Sequence, residues 1–248
     1  MVINRAEIFE SLGRFRKGVL QILVCFIAQA LIIYIFFSRA LMHHLRNTSL
    51  KIDLVAFGIP ESFLAFLKLA VYGSLFFSIP LIFYHFWKAL SPLFHKRGLK
   101  SSRLFLLASI ALFYLGAFFC YFITLPFGVQ FLLGYQSAHI QPMISVGRYV
   151  SFCTFFVFGF GLTFELPLLL ALLSYLRLIR ASFLTRNRRY AILVIAIVAA
   201  VVTPTPDVFN MSLLGGPLYI LFEVGILLVK MIERKRVQAE RVESSASG

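Results

Sequence analysis

Six long apolar segments, separated by short polar or basic connections, form the dominant pattern of this chain. They are Gly18–Phe37, Ser62–Phe86, Leu104–Leu133, Tyr149–Leu176, Tyr190–Val202 and Met211–Val229. A helix of about 20 apolar residues is long enough to cross the hydrocarbon layer of a membrane. The pattern therefore predicts an all-α polytopic membrane protein with six transmembrane helices.

These segments differ in length, and the differences predict a shape. At about 1.5 Å per residue, the fifth segment covers only about 20 Å, whereas the hydrocarbon layer is about 30 Å thick. The sixth segment carries Gly215-Gly216-Pro217 near its start and is also short, while the third and fourth exceed the length that a bilayer requires. We expect a cupped bundle that is thin on the side of helices five and six.

Basic residues fall mainly on one side of the predicted bundle. On that side, 19 Lys and Arg residues lie in the N-terminal segment, the 88–103 and 177–189 connections and the C-terminal tail. Because cytoplasmic loops are enriched in Lys and Arg, both termini are expected in the cytoplasm. Residues 1–232 are predicted to form a single six-helix transmembrane domain, and residues 233–248 a polar, disordered cytoplasmic tail.

The composition agrees with a membrane protein and argues against a soluble domain, a nucleic-acid-binding protein and a cleaved signal peptide. The chain is 60% hydrophobic and only 14% charged, well below the charged fraction of ordinary soluble domains. The net charge of +14 does not predict a nucleic-acid partner, because the basic residues lie between apolar segments rather than in one stripe. The first apolar segment exceeds the core of a signal peptide, so we expect an uncleaved first helix.

No motif of a common enzyme class occurs in the sequence. It contains no nucleotide-binding P-loop, no H-E-x-x-H zinc motif and no G-x-S-x-G nucleophile elbow. Cys25, Cys120 and Cys153 lie inside apolar segments without metal-ligand spacing, and we interpret them as packing residues. The sequence therefore predicts a protein that is not an enzyme, with no catalytic residue, metal or cofactor.

Two carboxylates lie within the predicted membrane spans. Glu165 is close to the middle of the fourth segment, in the stretch GFGLTFELPLL, and Glu223 lies in the sixth. A charge at the centre of a transmembrane helix costs about 2.5–3.5 kcal/mol on insertion scales, so such residues usually have a function. Three roles remain open: an ion path in a proton-coupled secondary transporter, a polar anchor for another transmembrane helix, or a protonated carboxyl bonded to a neighbouring helix.

A proline-rich turn separates the last two helices. It reads Thr203-Pro-Thr-Pro-Asp207, and its two prolines prevent one continuous helix. Asp207 suits the N-cap of the following helix.

Several stretches share one resemblance. They are Pro60-Glu-Ser-Phe63 with Lys68 beyond it, Ile79–Trp87, Gly159–Pro167, Thr203–Phe209 and Gly216–Gly225. Together they resemble the TatC family of the twin-arginine translocase over roughly residues 8 to 232. The resemblance also implies six spans, internal termini and two short final helices.

The family implies a function without nucleotide hydrolysis. The resemblance implies a core and receptor component that exports folded proteins with twin-arginine signal peptides, driven by the proton-motive force. The protein would lie in the cytoplasmic (inner) membrane or an equivalent energy-transducing membrane. Its implied partners are TatA-like and TatB-like single-span proteins, the signal peptides themselves, and further copies of the chain in a receptor complex.

The resemblance also assigns roles to residues. Glu165 takes the position of the family's fourth-helix glutamate in the concave membrane face. Glu223 is a second candidate for an intramembrane polar anchor, because of its place in the sixth apolar segment. Pro60 belongs to the outer loop. The implied partner-docking residues are Thr203, Thr205, Asp207, Asn210 and Ser212.

The cytoplasmic signal-peptide site is where this chain departs from the family pattern. Leu12 stands at the usual acidic position, Ala89 replaces an aromatic residue, and Gly98 replaces a glutamate. An arginine pair is bound best by carboxylates in bidentate geometry, and the replacements at Leu12 and Gly98 remove carboxylates. A TatC-like scaffold without signal-peptide recognition is therefore a third hypothesis, beside the translocase receptor and the secondary transporter. The remaining candidate contacts are Glu10, Arg14, Arg16 and Pro92.

Overall fold

The computed structural model describes residues 20–38, 40–43, 54–95, 102–134, 143–202 and 208–246, most of which are helical. In chain order the helices are α1 (Leu20–Phe37), α2 (Ile59–His95), α3 (Ser102–Phe119), α4 (Leu125–Leu133), α5 (Val146–Phe164), α6 (Leu166–Tyr175), α7 (Ala181–Arg186), α8 (Arg188–Val202) and α9 (Val208–Ala246). Turns of π-helix at Ile33–Phe37 and Cys120–Thr124 end α1 and join α3 to α4.

The predicted helical membrane fold is confirmed. Within the described residues, five helical stretches are long and apolar enough to cross a membrane: Leu20–Phe37, Ile59–Ala89, Arg103–Phe131, Val146–Tyr175 and Leu214–Gln238. The remaining predicted segment, the fifth, is α8, which has only 15 residues, as its short apolar run predicted. Helices α3 and α4 form one span, as do α5 and α6. The cupped shape remains a prediction.

Helix α9 differs from the sequence expectation. It contains 39 residues and continues to Ala246, whereas disorder was expected from residue 233. Of the last two helices, α8 alone is short. The polar end is rich in Glu, Lys, Arg, Gln and Ala, which are good helix formers, and its side chains Glu233 and Arg236 bond to other helices. A short parallel pair, β1 (Leu54–Val55) with β2 (Ile144–Ser145), was also not foreseen.

The chain divides into two compact units. The first comprises Met1–Ala111 and Tyr121–Phe158, and the second Leu112–Cys120 and Gly159–Gly248. The predicted single domain over residues 1–232 remains untested.

Within the first unit, small residues let helices approach closely. Gly73 of α2 faces Ile33 of α1, and a Cβ at Gly73 would lie 3.4 Å from two Ile33 carbons. One turn away, the Ser78 hydroxyl donates a hydrogen bond of 2.8 Å to Gln29 Oε1. Close helix packing with interhelical hydrogen bonds is the typical source of association in membranes, where burial of apolar surface provides little driving force.

Within the second unit, α6 packs against α9. A Cβ on Gly225 would lie 2.6 Å from Leu170 Cδ1 and 3.3 Å from Pro167 Cα, so a larger residue would require Leu170 to move and the helices to separate slightly. Helix α7 covers the same part of α9, with Ala181 and Leu184 buried in a cluster that also contains Phe222, Ile226 and Val229.

Candidate functional site

Glu165 lies at a break between two helices. Helix α5 ends at Phe164 and α6 begins at Leu166, with Glu165 as the residue between them (φ −72°, ψ −12°). Pro167 has no backbone N–H and cannot continue the bonding pattern of α5. The Glu165 N–H donates to Leu162 O at 3.1 Å, and its carbonyl accepts from Leu169 N–H at 2.9 Å. The span therefore continues through the break.

The side chain of Glu165 is half-buried within an exposed apolar stripe. Its Oε1 atom is buried, while Leu162 and Leu169, one turn before and after it, are 61% and 54% exposed. Residues three and four apart lie on the same side of a helix. A carboxylate thus stands in the middle of an apolar stripe whose leucines are exposed.

Interlocked glycines and aromatic rings hold the backbone beneath Glu165. A Cβ on Gly161 would lie 2.6 Å from Phe113 Cε2, and one on Gly116 would lie 2.7 Å from both Phe160 O and Phe164 Cγ. Phe113 is fully buried. Because tight packing allows little movement, the carboxylate is attached to a rigid support.

Glu223 has partners within the chain. Arg188 Nη2 donates to Glu223 Oε2 at 3.0 Å, forming an ion pair. The hydroxyl of Tyr219 donates to Glu223 Oε1 at 3.0 Å. Both carboxylate oxygens therefore accept hydrogen bonds from α8 and α9. One role that the sequence left open for Glu223 is a protonated carboxyl bonded to a neighbouring helix. The structure has such a bond to a neighbouring helix, but its donor is the cationic Arg188.

Most of the residues implied for docking and for signal-peptide binding cannot be placed. Glu10, Arg14, Arg16, Thr203, Thr205 and Asp207 lie outside the described residues. Pro92 lies in the C-terminal part of α2 and Asn210 in the first turn of α9, and the side chains of both are outside the described part of the chain. Ser212 is exposed, and its hydroxyl donates to Val208 O at 2.6 Å.

The outer loop contains a residue that the sequence did not single out. Pro60 is exposed in the first turn of α2, but its neighbour Glu61 joins two loops. Glu61 Oε2 accepts from Phe57 N–H at 2.6 Å, and Oε1 accepts from the Ser145 hydroxyl and from Gly147 N–H at 3.3 Å. The sequence offered one signal for Glu61, an acidic residue in the first turn of a helix. That signal does not indicate its distant partner, Ser145.

A second unforeseen arrangement lies in the second unit, where α6 ends and α7 begins. Arg236 Nη2 donates to Ser174 O at 3.1 Å and to Tyr175 O at 3.4 Å, at the C-terminus of α6. Glu233 Oε1 accepts from Ala181 N–H at 3.0 Å, at the N-terminus of α7. Both side chains follow the usual preference of helix ends for opposite charge. They lie in the segment for which disorder was expected.

Among the described residues, no three His, Cys, Asp or Glu side chains come together as metal ligands. The first unit holds the contacts of Glu61 with Phe57, Ser145 and Gly147. The second unit holds the rigidly supported carboxylate of Glu165 in its exposed apolar stripe, and the contacts of Glu233 and Arg236 with two helix ends.

Comparison with known proteins identifies the family to which this chain is similar. The family model described as Sec-independent protein translocase protein (TatC) matches residues 10–217. TatC of Carboxydothermus hydrogenoformans is 35% identical over 240 residues, which cover 94% of this chain and 97% of that protein. TatCy of Bacillus subtilis is 27% identical over 250 residues, covering 100% of this chain and 98% of that protein.

Solved structures agree with the sequence relatives. Two crystal structures of the twin-arginine translocase receptor TatC match with TM-scores of 0.73 and 0.74, at 29% and 30% identity. The alignments cover 89% and 88% of this chain, and 98% of each solved chain. The resemblance found in the motifs is thereby confirmed, and the chain belongs to the TatC family of Sec-independent protein translocase proteins.

Proposed function

We propose that this protein is the core and receptor component of a twin-arginine translocase, exporting folded proteins with twin-arginine signal peptides. Family membership and the match to the twin-arginine translocase receptor support this assignment. The proposed location is a bacterial inner membrane, with both termini in the cytoplasm, as the distribution of Lys and Arg predicts. Energy would come from the proton-motive force, as the resemblance to the family implies, and the sequence carries no nucleotide-binding P-loop.

The observation that supports a docking role is the position of Glu165. Its half-buried carboxylate lies between Leu162 and Leu169, both exposed. An ionisable group within a span is costly in lipid, and such groups usually face other helices or polar cavities. We assign this surface to a transmembrane helix of a TatA-like or TatB-like protein that carries a polar side chain at the matching depth. The docking roles of Thr203, Thr205, Asp207, Asn210 and Ser212 belong to the same proposal.

Glu223 is assigned a different role within this proposal. Because Arg188 and Tyr219 occupy its oxygens, it stabilises the packing of α8 on α9 instead of anchoring a partner. A carboxylate held in an ion pair is a poor carrier of protons, so the geometry gives no support to a proton path through Glu165 and Glu223.

Site-specific crosslinking tests the docking role. A photoreactive residue placed at Leu162 or at Leu169 reports contact with TatA or TatB in membranes. Glu165→Ala should weaken the crosslink, and Glu165→Gln should retain part of it because the amide can still form hydrogen bonds. Glu223→Gln is the matched control and should leave the crosslink unchanged. Equal crosslinking in wild type and Glu165→Ala would exclude the anchor role.

A precursor-binding experiment tests the receptor role. A twin-arginine precursor should crosslink to this protein in membranes, and Glu10→Ala should abolish the crosslink if Glu10 supplies the arginine contact. A crosslink that survives both Glu10→Ala and replacement of the arginine pair by lysines would place recognition elsewhere. Absence of any precursor crosslink would favour the scaffold hypothesis.

A further inference from the structure

The connection between α6 and α8 combines exposed arginines with exposed apolar side chains. Arg180 and Arg186 are exposed, and Leu178 and Phe183 are 67% and 61% exposed. Five arginines and no acidic residue occur in the 176–189 stretch. A basic and apolar mixture of this kind is typical of segments that lie in a membrane interface.

Helix α7 has two distinct sides. Ala181 and Leu184 are buried against α9. Successive residues of a helix are about 100° apart, so Phe183 and Arg186, three apart, point together to the side opposite this contact. The outward side of α7 therefore presents an aromatic ring beside a guanidinium.

The packing of α7 on α9 fixes its depth within the second unit. The apolar contacts of α7 reach Phe222, Ile226 and Val229, directly before the basic stretch that begins with Lys230. Glu233, one turn further, accepts the Ala181 N–H. Helix α7 thus lies beside the point where α9 changes from apolar to charged, and such a change along a transmembrane helix is typical of the membrane interface.

The arginines of this surface carry positive charge without a recorded ion pair. Within the described part of the chain, the one recorded salt bridge joins Arg188 to Glu223, and Arg180 and Arg186 take part in none. The Glu233 carboxylate lies near this surface, where its Oε1 accepts the Ala181 N–H. A guanidinium group without a carboxylate partner binds phosphate well, because its N–H donors are planar and paired.

From these four observations we infer that α7 and the turn before it form a binding surface for anionic phospholipids. The phosphates would be held by Arg180 and Arg186, while Leu178 and Phe183 enter the boundary with the acyl chains. This surface is separate from the proposed contacts with signal peptides and partner helices, and it would hold the end of the α6 span at a defined depth.

Native mass spectrometry of the purified full-length chain in a non-ionic detergent tests the inference. Phosphatidylglycerol is titrated against phosphatidylcholine, and the wild type should bind phosphatidylglycerol preferentially. The Arg180→Gln/Arg186→Gln variant should lose affinity for it about thirty-fold, from the typical contribution of a basic residue near an anionic surface. The matched control, Lys88→Gln/Arg103→Gln, removes the same charge from exposed positions of the other unit. It should lose clearly less affinity than the Arg180→Gln/Arg186→Gln variant, because the proposed surface does not include these positions.

Further variants separate charge, apolar contact and folding. Arg180→Lys/Arg186→Lys keeps the charge and should retain most of the binding, which shows that a loss in the Gln variant is electrostatic. Leu178→Ser/Phe183→Ser should weaken phosphatidylglycerol binding while the arginines remain. Helical circular dichroism reports whether each variant is folded.

Three results would overturn the inference. One is an equal loss of affinity in the Gln variant and its control. Another is complete displacement of phosphatidylglycerol by millimolar inorganic phosphate, which would assign the surface to free anions. The third is unchanged lipid binding in the Gln variant together with weaker crosslinking to a protein partner, which would assign it to protein docking. No precursor or partner protein enters the lipid assay, so its failure is distinct from failure of the proposed receptor role.

Discussion

The guanidinium of Arg188 lies 3.0 Å from the carboxylate of Glu223 and joins the start of α8 to the middle of α9. Both side chains are partly exposed, at 45% and 30%. We expect a coupling of about 1 kcal/mol or more in a double-mutant cycle with Arg188→Gln and Glu223→Gln, because Glu223 lies within a candidate membrane span, where little water screens the pair. Thermal unfolding in detergent measures it, and additive effects would contradict the pairing.

The packing of Gly161 gives a sharper prediction. A Cβ there would lie 2.6 Å from a carbon of the buried Phe113 ring, whereas at Gly159 nothing lies within 4 Å. Gly161→Ala should destabilise the protein by about 1–3 kcal/mol through overpacking. Gly159→Ala, on the same helix, should be neutral or slightly stabilising because alanine has the higher helix propensity.

The Gly161→Ala and Gly159→Ala variants also test whether the packing of α5 on Phe113 holds Glu165 in place. Gly161→Ala should also reduce the partner crosslink from Leu162, since a displaced helix moves the carboxylate. If both alanine variants unfold at the wild-type temperature, the contact between Gly161 and Phe113 is looser than the structure indicates.

Glu61 should hold the two outer loops together. Glu61→Ala removes the acceptor for Phe57 N–H, Ser145 Oγ and Gly147 N–H, so amide exchange at Phe57 and Gly147 should accelerate several-fold. Glu61→Gln should have an intermediate effect, because its amide keeps one oxygen acceptor. The control is Lys68→Gln, whose side chain bonds Ser151 at 3.2 Å and should leave exchange at Phe57 unchanged.

Glu233 should stabilise the start of α7. Its carboxylate accepts the Ala181 N–H at 3.0 Å, and Glu233→Ala should accelerate amide exchange at Ala181 about five-fold, from the loss of one hydrogen bond worth about 1 kcal/mol. Lys235→Ala removes a nearby exposed side chain as a control. Unchanged exchange in Glu233→Ala would show that the cap contributes nothing to stability.

Arg177 occupies a backbone position that favours glycine. Its φ is 62°, and the Arg177 and Leu178 N–H groups donate to Ser174 O and Leu173 O, both at 2.9 Å, to end α6 in a Schellman motif. Arg177→Gly should stabilise the protein by about 1 kcal/mol, because glycine adopts this φ without steric cost. Arg177→Ala removes the same charge but leaves a Cβ at the strained φ, so it should not raise the unfolding temperature in the way that Arg177→Gly does.

The features that could be predicted from the sequence are those that depend on local composition. The six apolar segments determine the spans, and the 13 residues of Tyr190–Val202 already indicate that one helix is short. Glu165 could be singled out because a carboxylate in an apolar run is unusual wherever the run lies. Family motifs added a role for it, again from residues close together in the chain.

The features that could not be predicted depend on residues far apart in the chain. Glu61 and Ser145 are 84 positions apart, and no local pattern indicates that they meet. The polar end of α9 was expected to be disordered because its composition is charged, but Glu233 and Arg236 find partners at the ends of α7 and α6.

Glu165 and Glu223 show the same division most clearly. By sequence both are carboxylates inside apolar segments, and the two were assigned the same role. Tertiary structure distinguishes their surroundings, because α8 brings Arg188 to Glu223 while Glu165 lies at a helix break between exposed leucines. Hydrophobicity along the chain determines which segments enter the membrane. Only packing decides which groups surround each charge within a span, since a charge is neutralised by groups brought close in space rather than in sequence.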